Sequence, residues 1–290
     1  MTTKINVALI QHSFKKNKQD TIDCTIGMIK EAAKKGASLV ALEELHTSPY
    51  FCQEENVNYF SYASFFKDEL NLFSTIAKDE NIVLIASLFE ERAKGLYHNT
   101  AICFDSDGRV AGKYRKMHIP DDPGFYEKFY FTPGDNDFTP IQTSLGKLGV
   151  LICWDQWYPE AARLMALGGA EILIYPTAIG FNPADTKEQK QMQLDSWINI
   201  QKGHAIANGV YVMAINRCGV ECIQDSKIDF WGNSFIIGPQ GEEIIFGGRD
   251  DCILQTTIDL NRIYEVRNIW PFLRDRRIDY YHNLTKRYID

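Results

Sequence analysis

GVLICWDQWYPE, residues 149–160, opens with an apolar run from Gly149 to Ile152 and delivers Cys153 to the point where polarity begins. It then leads into Pro159 at the head of a helical pattern that ends at Leu167. A run too uniformly apolar to face water on one side, followed at once by a proline-led helix, is the strand-turn-helix unit of a covered sheet. The same alternation recurs on both sides of it. Short β-rich apolar runs lie at Ile5–Ile10, Ser38–Leu42, Ile82–Leu88, Thr100–Phe104, Leu148–Cys153, Glu171–Tyr175, Val210–Ile215, Ser234–Ile237 and Ile253–Ile258. Helical patterns lie at Thr21–Lys35, Phe65–Lys78, Pro159–Leu167 and Lys187–Asn208. Strands alternating with helices predict an α/β protein. Phe104-Asp-Ser-Asp-Gly108 and Ile237-Gly-Pro-Gln-Gly241 read as hairpin turns, so antiparallel pairs are mixed in. Helix, Gly-Ala and strand occur twice, in KKGASLVALEE and LGGAEILIYPTA. The echo is compatible with two similarly wound halves, but the ordinary repetition of any α/β chain is the favoured reading.

No Pro/Gly/Ser-rich linker, charge block or low-complexity tract interrupts the 290 residues, so one continuous domain over residues 1–290 is expected. Thirty-eight acidic against 31 basic residues give a net charge of −7, which argues against affinity built on neutralising phosphates, and no nucleic-acid partner is expected. The apolar stretch Ile5–Ile10 is too short for a signal-peptide core or a membrane span, so the expectation is a cytoplasmic protein with no membrane partner. Seven scattered cysteines then read as reduced thiols.

The chain has no Walker-type loop, dinucleotide glycine fingerprint, His-Glu-x-x-His, paired Cys-x-x-Cys or Gly-x-Ser-x-Gly. Chemistry without cofactor or metal is therefore expected. Three segments could carry it. Cys153 stands where a strand gives way to a turn and helix, a position at which a nearby cation and helix N-terminus would favour a thiolate. In KYRKMHIPDDPGFYEKFYFTPGD, Lys116, His118, Glu127 and Lys128 sit in an aromatic, proline-rich stretch that excludes a regular helix. In SLVALEELHTSPYFC, Glu43 and Glu44 close an apolar strand on opposite faces. Each segment also has an ordinary reading: a packed cysteine, a solvated strand end with a surface loop, and two glutamates marking an exit into solvent.

Taken together, Glu44, Lys116 and Cys153 resemble the Glu-Lys-Cys triad of the nitrilase superfamily of carbon-nitrogen hydrolases. The resemblance spans essentially the whole chain and rests on E-E-L, Y-R-K-x-H, E-K-F-Y-F-T-P-G-D, G-V-L-I-C-W-D and Y-P-T-A-I-G. It implies a four-layer α-β-β-α sandwich of two mixed sheets flanked by helices. It also implies roles: Glu44 takes the thiol proton, Cys153 attacks a carbonyl, and Lys116 with the Trp154 backbone N–H stabilises the oxyanion. Glu127 matches a second family carboxylate that positions Lys116. Within the family, PYFCQ at 49–53, HIPDDPGFYEKFYF at 118–131 and CWDQWYPEAAR at 153–163 are most similar to the branch acting on carbamoyl amines. Relatives that hydrolyse carbamoyl amino acids carry arginines shortly after the nucleophile, where this chain has Asp155-Gln156-Trp157-Tyr158. The expected partner is thus a small carbamoyl amine, its cationic tail held by aromatic walls and an acidic end drawn from Tyr50, Trp154, Asp121 and Asp122. Two departures stand out: His46 replaces an aromatic, and Gly180-Phe181-Asn182 replaces Gly-Ser-Glu. The resemblance further implies a homo-oligomer, with residues 261–290 at a subunit interface.

Overall fold

The structure, a computed structural model, describes residues 3–289. Its first half runs β1 (Lys4–Gln11), α1 (Lys18–Lys34), β2 (Leu39–Leu42), α2 (Phe66–Asp79), β3 (Val83–Ala93), β4 (Leu96–Phe104) and β5 (Val110–Arg115). A single helical turn, α3 (Glu127–Tyr130), interrupts the long loop that follows. The second half runs β6 (Ile141–Thr143), β7 (Gly146–Val150), α4 (Pro159–Leu167), β8 (Ile172–Thr177), β9 (Gly180–Phe181), α5 (Lys187–Asn208) and β10 (Tyr211–Asn216). Then come β11 (Cys218–Ile223), β12 (Ser226–Trp231), β13 (Phe235–Ile237), β14 (Glu243–Phe246), β15 (Cys252–Asp259) and α6 (Asn261–Ile269).

Two six-stranded sheets result, ordered β15-β1-β2-β3-β4-β5 and β14-β13-β10-β8-β7-β6. Each has three parallel strands at its centre, β1, β2, β3 in one and β7, β8, β10 in the other, with antiparallel strands on both flanks. The two echoed segments supply β2 and β8, the middle strands of those parallel trios. The repetition therefore reflects two similarly wound halves.

Alternation along the strands explains the layering. Val7, Leu9, Leu39, Ala41, Val83 and Ile85 point to a core shared with Leu148, Val150, Ile172, Ile174 and Met213 of the other sheet. Their neighbours Ala8, Ile10, Val40, Leu42, Leu84 and Ala86 pack instead on Ile29 and Ala32 of α1 and Phe73, Ile76 and Ala77 of α2. On the outer side of the second sheet, Met165 of α4 and Trp197 and Ala205 of α5 complete the fourth layer. The fold is thus the four-layer α-β-β-α sandwich. No helix among the described residues is long and apolar enough to cross a membrane.

Both long second-half helices coincide with their sequence patterns, whereas β5, β6, β9, β11, β12 and β14 carry no matching apolar run. The strand expected to reach Cys153 stops at Val150. Its backbone is turned away there by a 3₁₀ turn over Cys153–Trp157, because Asp155 Oδ2 accepts the Ile152 N–H at 2.9 Å.

Candidate active site

The carboxyl ends of strands from both sheets bring the chemistry together. Glu44 follows β2, Lys116 directly follows β5, Cys153 opens the turn after β7, and Glu127 starts α3. The Glu44 N–H reaches across to the Thr177 carbonyl at the end of β8, which joins the two sheets at this point. Lys116 Nζ donates to Glu44 Oε1 at 2.7 Å and to Glu127 Oε2 at 2.6 Å, and all three side chains are fully buried. Asn99 Nδ2 also donates to Glu44 Oε1, at 2.7 Å. Glu44 Oε2 has no hydrogen-bond partner among the described residues, so one carboxylate oxygen is held by two donors and the other is free to take a proton. Cys153 adopts a left-handed φ of +42°, unusual for a side chain with Cβ.

Burial decides the resting charges. It pushes the Cys153 thiol well up, Glu44 adds to the rise and Lys116 opposes it, so the sulfur rests as a neutral thiol. For Lys116, burial pulls the ammonium down, but Glu127 and Glu44 outweigh it and the net shift is well upward. Burial raises Glu127 to about 7, against the pull of Lys116. Burial likewise keeps the Tyr50 phenol protonated, and its hydroxyl donates to Glu127 Oε1 at 2.7 Å.

Glu43 and Glu44 do not mark an exit into solvent. Both are buried, and Glu43 turns the other way, 3.1 Å from His12 Nδ1. His46 stands in as an aromatic: burial holds it neutral, and its ring meets Phe73 edge-on at 5.0 Å.

In front of Cys153 opens a cavity of about 500 Å³. Trp154 and Asp122 line it, together with Glu127, Phe125, Trp157, Trp231 and Asp185. Tyr50 does not; it is sealed behind Glu127, because its hydroxyl is needed by that carboxylate. Asp121 does not line the cavity either, and remains exposed on the loop. Asp185, Phe125 and Trp231 escape the sequence reading because nothing in their spacing points to Cys153, and Trp157, four residues after it, enters that reading only as part of the motif.

Asp155 also escapes it as a brace. Besides capping the turn of Cys153, its carboxylate accepts from the Tyr114 hydroxyl at 2.9 Å and from the His118 N–H at 3.0 Å. It thereby ties the turn of Cys153 to the strand carrying Lys116. The detectable signal was an acid two residues after the cysteine, in capping position.

Cys153 and Glu127 line an apolar-walled cleft, with Lys116 and Glu44 buried next to that Glu127 on paired α/β sheets, an arrangement that suits a thiol-dependent hydrolase. The chain matches the carbon-nitrogen hydrolase family over residues 6–268 and belongs to it. It is 42% identical over 286 residues to an N-carbamoylputrescine amidase of Oryza sativa subsp. japonica, with 96% of this chain and 94% of that protein covered. It is 40% identical over 287 residues to a citrullinase of Francisella tularensis, with 98% and 99% covered. A crystal structure of a carbon-nitrogen hydrolase from Helicobacter pylori G27 superposes with a TM-score of 0.97 at 54% identity, covering 99% of this chain and 100% of that one.

Proposed function

We propose that this amidase hydrolyses N-carbamoylputrescine to putrescine, ammonia and carbon dioxide, with Glu44, Lys116 and Cys153 as its catalytic triad. The free Oε2 of Glu44 takes the thiol proton as Sγ of Cys153 attacks the ureido carbonyl. Two protons of the Lys116 ammonium are held by Glu44 and Glu127, and the third, with the Trp154 backbone N–H, faces the developing oxyanion. Glu44 returns the proton to the departing amine nitrogen, leaving a carbamoyl thioester. Water, activated by the same carboxylate, releases carbamic acid, which falls apart to ammonia and carbon dioxide. Glu127 holds Lys116 in place. Each of these steps uses groups of this chain and water.

One observation carries the choice of substrate: the residues lining the cavity include Asp122 and Asp185 but no lysine or arginine. A ureido compound ending in an ammonium meets carboxylates and aromatic faces there. Citrulline presents the same ureido group but adds an α-carboxylate, for which the cavity offers no cationic partner. Ammonia release from the two compounds tests this. N-carbamoylputrescine is expected to be preferred by at least about 100-fold in kcat/KM, and Asp185→Asn to raise KM about tenfold, which is roughly 1.4 kcal/mol. Equal or better turnover of citrulline would overturn the assignment.

In the same reading the enzyme serves polyamine synthesis in the cytoplasm as a homo-oligomer. Residues 261–290 contribute to the contact: Tyr264, Trp270, Phe272 and Tyr280 are all exposed on one copy, a concentration of aromatic surface that association would cover.

A further inference from the structure

Behind the two carboxylates lies a buried ion pair that touches neither the thiol nor the cavity. Arg217 follows β10, and Glu221 lies in β11. Nη2 of Arg217 donates to the carbonyls of Glu44 at 3.1 Å and Leu45 at 2.9 Å. Nη1 donates to the Ser48 carbonyl at 3.1 Å and to Glu221 Oε1 at 2.6 Å. The second oxygen of Glu221 accepts the Tyr50 N–H at 2.7 Å, and the hydroxyl of that same tyrosine is bonded to Glu127. Leu45, whose two flanking carbonyls share one guanidinium nitrogen, has a left-handed φ of +49°. A leucine keeps that conformation only where its surroundings hold it.

We propose that Arg217 and Glu221 are a positioning pair that sets both carboxylates against Lys116. Arg217 acts on Glu44 through the main chain of the turn, and Glu221 acts on Glu127 through Tyr50. The inference rests on the reading that Glu44 is the base for Cys153. A pair retained for packing alone would be replaceable at little cost by uncharged residues. Here the planar fork of the guanidinium gathers three carbonyls of the turn that presents Glu44, which a lysine can match in charge but not in geometry.

The test uses the full chain carrying Arg217→Gln, Arg217→Lys or Glu221→Gln, with kcat, KM and the pH dependence of kcat measured on N-carbamoylputrescine and on a simple aliphatic amide. Arg217→Gln is expected to lower kcat on the order of 10²-fold, the loss that a misplacement of about 1 Å produces, with KM little changed. Arg217→Lys should recover part of that loss, and Glu221→Gln should shift the acid limb of the pH profile by loosening Tyr50 from Glu127. Should Arg217→Gln not fold, the other two variants carry the test. Folded variants with wild-type kcat and pH profile on both substrates overturn the proposal. Turnover of the aliphatic amide alone would defeat the substrate assignment while leaving the pair to be judged on that amide.

Discussion

Lys116→Met is expected to lower kcat on the order of 10²–10³-fold and to destabilise the protein by about 3–5 kcal/mol at mildly alkaline pH. Methionine fills similar volume, so the loss is electrostatic. The ammonium is the shared partner of Glu44 and Glu127, both without solvent contact, and its removal leaves two buried carboxylates facing each other. The sign of the pH dependence follows. Without the cation, burial and the neighbouring Glu44 hold the Glu127 carboxyl above the unfolded value of about 4.3, so the folded variant keeps a proton that the unfolded chain gives up. Stability is then lost as pH rises above that value and recovered on acidification toward it. Thermal unfolding of the wild type and variant across a pH series measures this. A variant as stable as wild type at alkaline pH would show that the lysine is not the counter-charge of the pair.

Glu44→Gln separates proton transfer from nucleophile formation. The carboxamide oxygen still accepts from Lys116 and Asn99, so the local structure should persist. What is lost is a group that can take the thiol proton and return it to the leaving nitrogen, and kcat should fall about 10²–10⁴-fold. Alkylation of Cys153 by iodoacetamide should nevertheless persist, because removing the Glu44 charge relieves one of the influences holding the thiol protonated. Turnover within tenfold of wild type would remove Glu44 from the role of base.

The architecture was legible where pattern and burial agree. Pro159–Leu167 and Lys187–Asn208 have a proline or a Thr186 cap at one end and a glycine just past the other, and the parallel strands are buried on both faces. The three-stranded sheet of β11, β12 and β9 was not legible, since Cys218–Ile223 and Ser226–Trp231 mix charged and apolar residues at a site rim. Residue chemistry alone left Glu44, Lys116 and Cys153 as three unconnected strand ends, and family resemblance joined them. Tyr50 was identified as an aromatic wall because its ring is visible in sequence, whereas the destination of its hydroxyl depends on a loop 77 residues away. Arg217 left one usable trace: a cation at the carboxyl end of an apolar strand, the same end from which Glu44 and Cys153 emerge.

In the proposed mechanism Cys153 is the nucleophile. Ammonia release from N-carbamoylputrescine by Cys153→Ala, in protein shown to melt like the wild type, tests it most directly. The account predicts no release above the rate in buffer; sustained turnover by that variant would contradict it.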